Sequence, residues 1–190
     1  EIYTGESKEE FHRFLAGEAG KDGVSSNLYT ALPLYTISEE LFQNILERNH
    51  IPAEKQQMLL QELRREKDNF LQMLQSGSVE DRIPALSREE YAEMPLALSL
   101  SEAFYEHEIC CTYDEYLEHY HQTMAFAEHN PNYTVLSQHT RIFRNIQIRI
   151  KHSERVVISK NKSPVIHFVI RHPKMRKAIE DGLWQVLNEE

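Results

Sequence analysis

The sequence predicts an α/β fold, a mixed and largely antiparallel sheet flanked by helices, and three observations carry that prediction. Ile146, Ile148 and Ile150 alternate with Gln147, Arg149 and Lys151, the two-residue period of a strand. Val156-Val157-Ile158 and Val165 to Ile170 follow after short polar turns, close enough for antiparallel hairpins. Around them lie segments with apolar residues at helical spacing, the longest from Ala53 to Ser76.

In chain order, Ile2-Tyr3-Thr4 reads as a short strand, and Ser7-Lys8-Glu9-Glu10 as a capping box opening a helix to about Gly17. Leu28 to Tyr35 has the apolar character of a strand, limited by Pro33. Ser38 caps a helix over Glu39 to Asn49. It stops at Asn49-His50-Ile51-Pro52, because the residue before proline avoids helical geometry. The next helix carries Leu59, Leu63, Phe70 and Leu74 on one side and ends at Gly77. The two together, residues 39–76, read as a helical hairpin. A DNA-binding helix-turn-helix is disfavoured there, since Glu62, Glu66 and Asp68 load the second helix with acid.

Ser78 to Pro95 reads as a turn-rich connector holding a short capping box, Ser87-Arg88-Glu89-Glu90, and Leu96 to Phe104 as strand or helix start. Thr112-Tyr113-Asp114-Glu115 is a capping box for a helix to about Asn130. Its stripe of Tyr113, Tyr116, Leu117, Tyr120 and Met124 suits core packing or a pocket lining. The final strand is apolar except at His167, which predicts cover on both faces and a place inside the sheet. Pro173 then opens a last helix with Met175, Ile179, Leu183 and Val186 as its apolar stripe.

The 190 residues suit one domain, with a strand-rich core over 133–187. The chain starts at Glu1 without methionine, and a fragment of a longer protein is expected. No run approaches the ~18 apolar residues of a membrane span. The two cysteines, Cys110 and Cys111, are adjacent, which disfavours a disulfide framework, so a cytoplasmic protein with free thiols is expected.

The net charge of -9 is unevenly spread. Residues 141–177 hold eleven Lys or Arg and one acid, whereas residues 1–140 hold ten against twenty-five. A basic strip on an acidic body raises local positive potential and favours anions, while the acidic surroundings disfavour direct DNA binding. The alternative is a set of solvated strand faces.

The ten histidines lack metal-ligand spacing. His107 has no second histidine at metalloprotease spacing, and His119 and His121 sit two apart on a helix. No metal and no cofactor are expected. His172-Pro173-Lys174 with Asp181 resembles the His, Lys, Asp motif of phospholipase D enzymes. Six residues separate Lys174 from Asp181, however, where that family has four, and there is no second copy. Arg171, His172, Lys174, Arg176 and Lys177 crowd a helix start whose free amides already favour anions. The candidate ligand-binding residues are accordingly Tyr116, Tyr120, His167, Arg171, His172 and Lys174, with no catalytic residue among them.

Thr112 to Tyr116, Asn130-Pro131-Asn132-Tyr133, Phe143 to Ile148, and Ser159 to Ile170 with His172-Pro173 resemble the C-terminal regions of bacterial helix-turn-helix transcriptional regulators, over residues 96–187. The resemblance implies a noncatalytic effector, sensor or dimerisation module that follows a DNA-binding domain. The function expected is therefore that of a ligand-sensing or effector domain taking a small anionic or other small-molecule ligand, in a homodimer that meets DNA only through a domain outside this chain. A phosphodiester hydrolase and a dimerisation module without ligand are the alternatives.

Overall fold

The computed structural model describes residues 1–4, 7–19, 23–28, 31–98, 109–139, 146–160 and 166–188. Seven strands form one sheet: β1 (Ile2–Thr4), β2 (Gly23–Leu28), β3 (Gly77–Pro84), β4 (Tyr133–Gln138), β5 (Ile146–Lys151), β6 (Arg155–Lys160) and β7 (Ile166–Ile170). Their spatial order is β1-β7-β6-β5-β2-β3-β4. The β5–β6–β7 meander is antiparallel as the sequence predicts, and β1 and β2 pair antiparallel with its outer strands. On the other side of β2, β3 and β4 run parallel to it and to each other.

Parallel neighbours need crossovers. The first carries α2 (Glu39–Arg48) and α3 (Ala53–Ser76), and the second carries α4 (Arg88–Glu93) and α5 (Tyr113–Glu128). The expected hairpin over 39–76 is thus the link that brings the chain from β2 to β3. Ser38 accepts from Leu41 N at 3.2 Å as the N-cap of α2. That helix ends with His50 at φ 56°, where His50 N donates to Glu47 O and Ile51 N to Leu46 O. This pair of bonds closes the helix by a left-handed cap. Both capping boxes predicted at Ser87 and Thr112 are present.

Alternation along the strands divides the sheet into two faces. Leu28, Ile148, Ile150 and Val156 face α6 (Pro173–Asn188) and pack with Leu183. The opposite face meets α1 (Lys8–Ala19), α3 and α5 through Phe11 with Val157 and Val169, and through Phe70 with Val79 and Tyr133. A third cluster joins α2 to α3 through Phe42, Ile45, Leu59 and Leu63, closed by Leu98 and Ile109. The β2 and β3 backbones approach so closely at their first residues that a Cβ on Gly77 would lie 1.8 Å from Gly23 O. Only glycine fits there.

Several expectations are corrected. The segment Ser78 to Pro95 is not a connector: it holds most of β3, which lies between β2 and β4, and α4. The strand expected over Leu28 to Tyr35 lies earlier, at Gly23–Leu28, and a single 3-10 turn occupies Leu34–Thr36 after Pro33. Ser7 bonds the backbone of Thr4. β7 does lie inside the sheet, yet it is not covered on both faces, because Phe168 stays 40% exposed beyond the reach of α6. Met175 is likewise exposed and leaves the α6 stripe. The readings over 99–108 lie outside the described residues.

Candidate functional site

The face of the sheet toward α1 and α3 is polar at its centre. β5 alternates as expected, but its polar side turns inward rather than toward solvent: Gln147 and Lys151 are buried and Arg149 is half-buried. Register places Arg149 opposite Asn27, and Lys151 opposite both Ser25 and Arg155. Lys151 and Arg155 are 6% and 7% exposed, so two cations face each other across adjacent strands in a buried setting. Like charges directly opposite in a sheet repel and hold together only with negative charge nearby. Glu154 supplies some, at 3.1 Å from Arg155 Nη1, and the Arg155 guanidinium also lies 5.2 Å from the centre of the Phe14 ring.

These three cations border a cavity of about 70 Å³ between the sheet and the helices. Ser25, Asn27 and Tyr35 line it beside them, α3 contributes Glu66, Asn69, Phe70 and Met73, and Leu15 of α1 and Val157 add apolar surface. Since one water needs ~10–15 Å³ on this scale, the space holds about five waters or a molecule of similar size. Ser25 is 7% exposed, lines the cavity and makes no side-chain hydrogen bond among the described residues.

Behind the cavity lies Asp81, at the middle of β3 and fully buried. Its Oδ1 accepts from Asn27 Nδ2 at 2.8 Å, and its Oδ2 accepts from Tyr133 OH at 2.7 Å and from Tyr35 OH. Burial pushes this carboxyl up to about 6, against the pull of the three donors and of Arg149. Asn27 and Tyr35 each touch both the cavity and Asp81, so the carboxylate fixes two of the lining side chains. Tyr35 is also stacked on Phe70, with ring centres 3.8 Å apart.

Tyr35 belongs to the 3-10 turn, whose next residue enters a second buried polar group. Thr36 Oγ1 bonds Thr123 Oγ1 of α5 at 2.7 Å, and His119 Nε2 donates to Pro33 O at 2.9 Å. Burial lowers His119 to about 4, so it is neutral at pH 7. The cavity is therefore one residue away from the contact between the turn and α5.

The six residues singled out from the sequence do not converge. Tyr116 is buried and pins the β3 to α4 link, accepting from Leu86 N and donating to Pro84 O. Tyr120 OH lies 2.5 Å from Ser137 Oγ. Both belong to the packed cluster around Ile83 and Tyr91, which accords with the core reading of the α5 stripe. His167 bonds Ser159 Oγ at 2.8 Å and stacks on Phe11, with 3.8 Å between ring centres. Arg171 lies 3.6 Å from Glu1, while His172 and Lys174 are exposed at the start of α6. Asp181 takes its ion pair from Lys177, one turn away. Arg149, Lys151 and Arg155 were legible as members of the basic strip, but not as neighbours around a cavity. Asp81 had one signal: it takes the inward place between Val79 and Ile83 in an alternating run.

Among the described residues no group of three or more His, Cys, Asp or Glu is placed to hold a metal, and no helix is long and apolar enough to cross a membrane. Cys110 and Cys111 are free thiols, and burial pushes Cys111 up to about 12, away from thiolate chemistry. No protein-family model matches the chain, and no curated protein or solved structure matches it.

Proposed function

We propose that this chain is a noncatalytic ligand-sensing domain of a bacterial transcriptional regulator, and that the ligand is a small anion held in the cavity between the sheet and α3. The observation that carries the anion is the pairing of Lys151 with Arg155, both buried at one cavity that Arg149 also lines. The regulator context rests on the resemblance of residues 96–187 to the C-terminal regions of such proteins. A ligand touching Tyr35 bears on the Asp81 bonds and on the turn that packs against α5. It would thereby favour one arrangement of α2, α3 and α5 over another, and in a homodimer change how the attached DNA-binding domains are presented.

The test is a thermal-shift series with inorganic phosphate and short carboxylates, with light scattering on each positive. Binding at a hundred times Kd should raise Tm by about 5–10 °C for a domain of this length. Arg149→Ala and Lys151→Ala should each remove the shift. No shift with any small anion, together with a constant dimer, would replace this reading by that of an assembly module.

A further inference from the structure

The cavity has two chemically different walls, and the difference restricts what fits between them. The sheet wall carries Arg149, Lys151 and Arg155, whereas the α3 wall carries Glu66 and Asn69. Glu66 is half-buried and makes no ion pair or hydrogen bond among the described residues, and the same holds for the Asn69 side chain. A plain anion drawn in by the cations would share a space of about 70 Å³ with the Glu66 carboxylate and be repelled by it. A ligand with a positive group at its other end would turn that repulsion into a charge-assisted hydrogen bond.

We infer that the cavity takes a small zwitterion, an amino acid with few side-chain atoms, its carboxylate on Arg149, Lys151 and Arg155 and its ammonium on Glu66. The Ser25 hydroxyl, buried in the sheet wall without a side-chain partner among the described residues, is placed to bond the carboxylate. Leu15, Phe70, Met73 and Val157 supply apolar surface for a short side chain. Alanine, with six non-hydrogen atoms, matches a space for about five waters. This inference rests on the proposed anion site and adds the second charge.

The experiment is calorimetric titration of the chain with alanine, with propionate, which lacks only the amino group, and with inorganic phosphate. It is repeated for Glu66→Gln and Arg149→Ala. Alanine should bind at least about tenfold more tightly than propionate or phosphate, as expected for one charge-assisted contact. Glu66→Gln should bring the alanine-to-propionate ratio close to one while propionate binding persists or improves, and Arg149→Ala should weaken both. Propionate or phosphate binding as tightly as alanine, or a ratio that Glu66→Gln leaves unchanged, would overturn the zwitterion while leaving the anion site standing. Heat from none of the three would overturn both. Circular dichroism and melting of each variant separate loss of folding from loss of binding, and Glu66→Gln, on the half-buried face of a long helix, is the variant expected to fold normally.

Discussion

The two faces of the sheet are built from the same strands and are both largely covered, yet they are stabilised by different means. Toward α6, Leu28, Ile148, Ile150 and Val156 form an apolar layer closed by Leu183. Toward α1 and α3, the residues between them in sequence are Asn27, Gln147, Arg149, Lys151 and Arg155, with Asp81 on the neighbouring strand. The apolar face gains stability from area removed from water. The polar face must satisfy every buried group, and satisfied networks fix geometry more than they add free energy. The apolar face is a scaffold, and the polar face holds its side chains in fixed positions around a cavity.

The largest effect should come from breaking the scaffold face. Ile150→Ala removes a 5% exposed side chain between Val156 and α6 and should cost about 2–5 kcal/mol in urea unfolding, by lost burial and a residual cavity. Asp81→Ala attacks the polar face and leaves the Asn27, Tyr35 and Tyr133 donors without their acceptor. A destabilisation of about 1–3 kcal/mol is expected, together with loss of any ligand-induced thermal shift, because Tyr35 and Asn27 are no longer fixed. A variant that kept its ligand response would detach Asp81 from the site.

The pH dependence sharpens the contrast. Asp81 has a folded value raised from 3.8 to about 6, so its contribution is fully present below about 4 and is lost as pH rises through 6. His119, lowered from 6.5 to about 4, has the opposite sign: its contribution is fully present above 6.5 and is lost as pH falls through 4. Arg149 favours the ionised Asp81 and so narrows the first window, whereas Lys67 disfavours protonated His119 and so widens the second. The stability of the natural chain relative to Asp81→Asn should therefore shrink between pH 4 and 6.5. Relative to His119→Gln it should grow over the same range. Denaturant midpoints at four pH values check both slopes.

The smallest effect is expected on the α6 side, beyond the helix. Phe168 and Ile2 are register partners and are 40% and 64% exposed. Phe168→Ser should cost about 1–2 kcal/mol, less than Ile150→Ala, since part of the ring is already in water. The gap between Phe168→Ser and Ile150→Ala, two apolar residues on one face, measures what the cover of α6 contributes.

Much of the fold was legible because its signals are local. The β5–β6–β7 meander, the caps at Ser38, Ser87 and Thr112, and the start of α6 at Pro173 follow from alternation, hydrogen-bonding side chains and fixed backbone angles, all within a few residues. β3 was missed for a physical reason. Its inward positions read Val79, Asp81, Ile83, and a carboxylate in the middle breaks the hydrophobic pattern unless Asn27, Tyr35 and Tyr133 are known to surround it. Those partners lie 46 to 54 residues away in the chain. The α5 tyrosines and the α6 cations looked like a site because they are close in sequence, but packing claimed the first and solvent the second.

By itself the sequence determined the fold class, the order of most elements and the existence of a basic strip, since these depend on period, composition and near neighbours. Only the tertiary structure decided which way the strip faces. Alternation tells that Arg149 and Lys151 share a side of β5, but whether that side meets water or α3 depends on how the crossovers cover the sheet, and no local pattern records it.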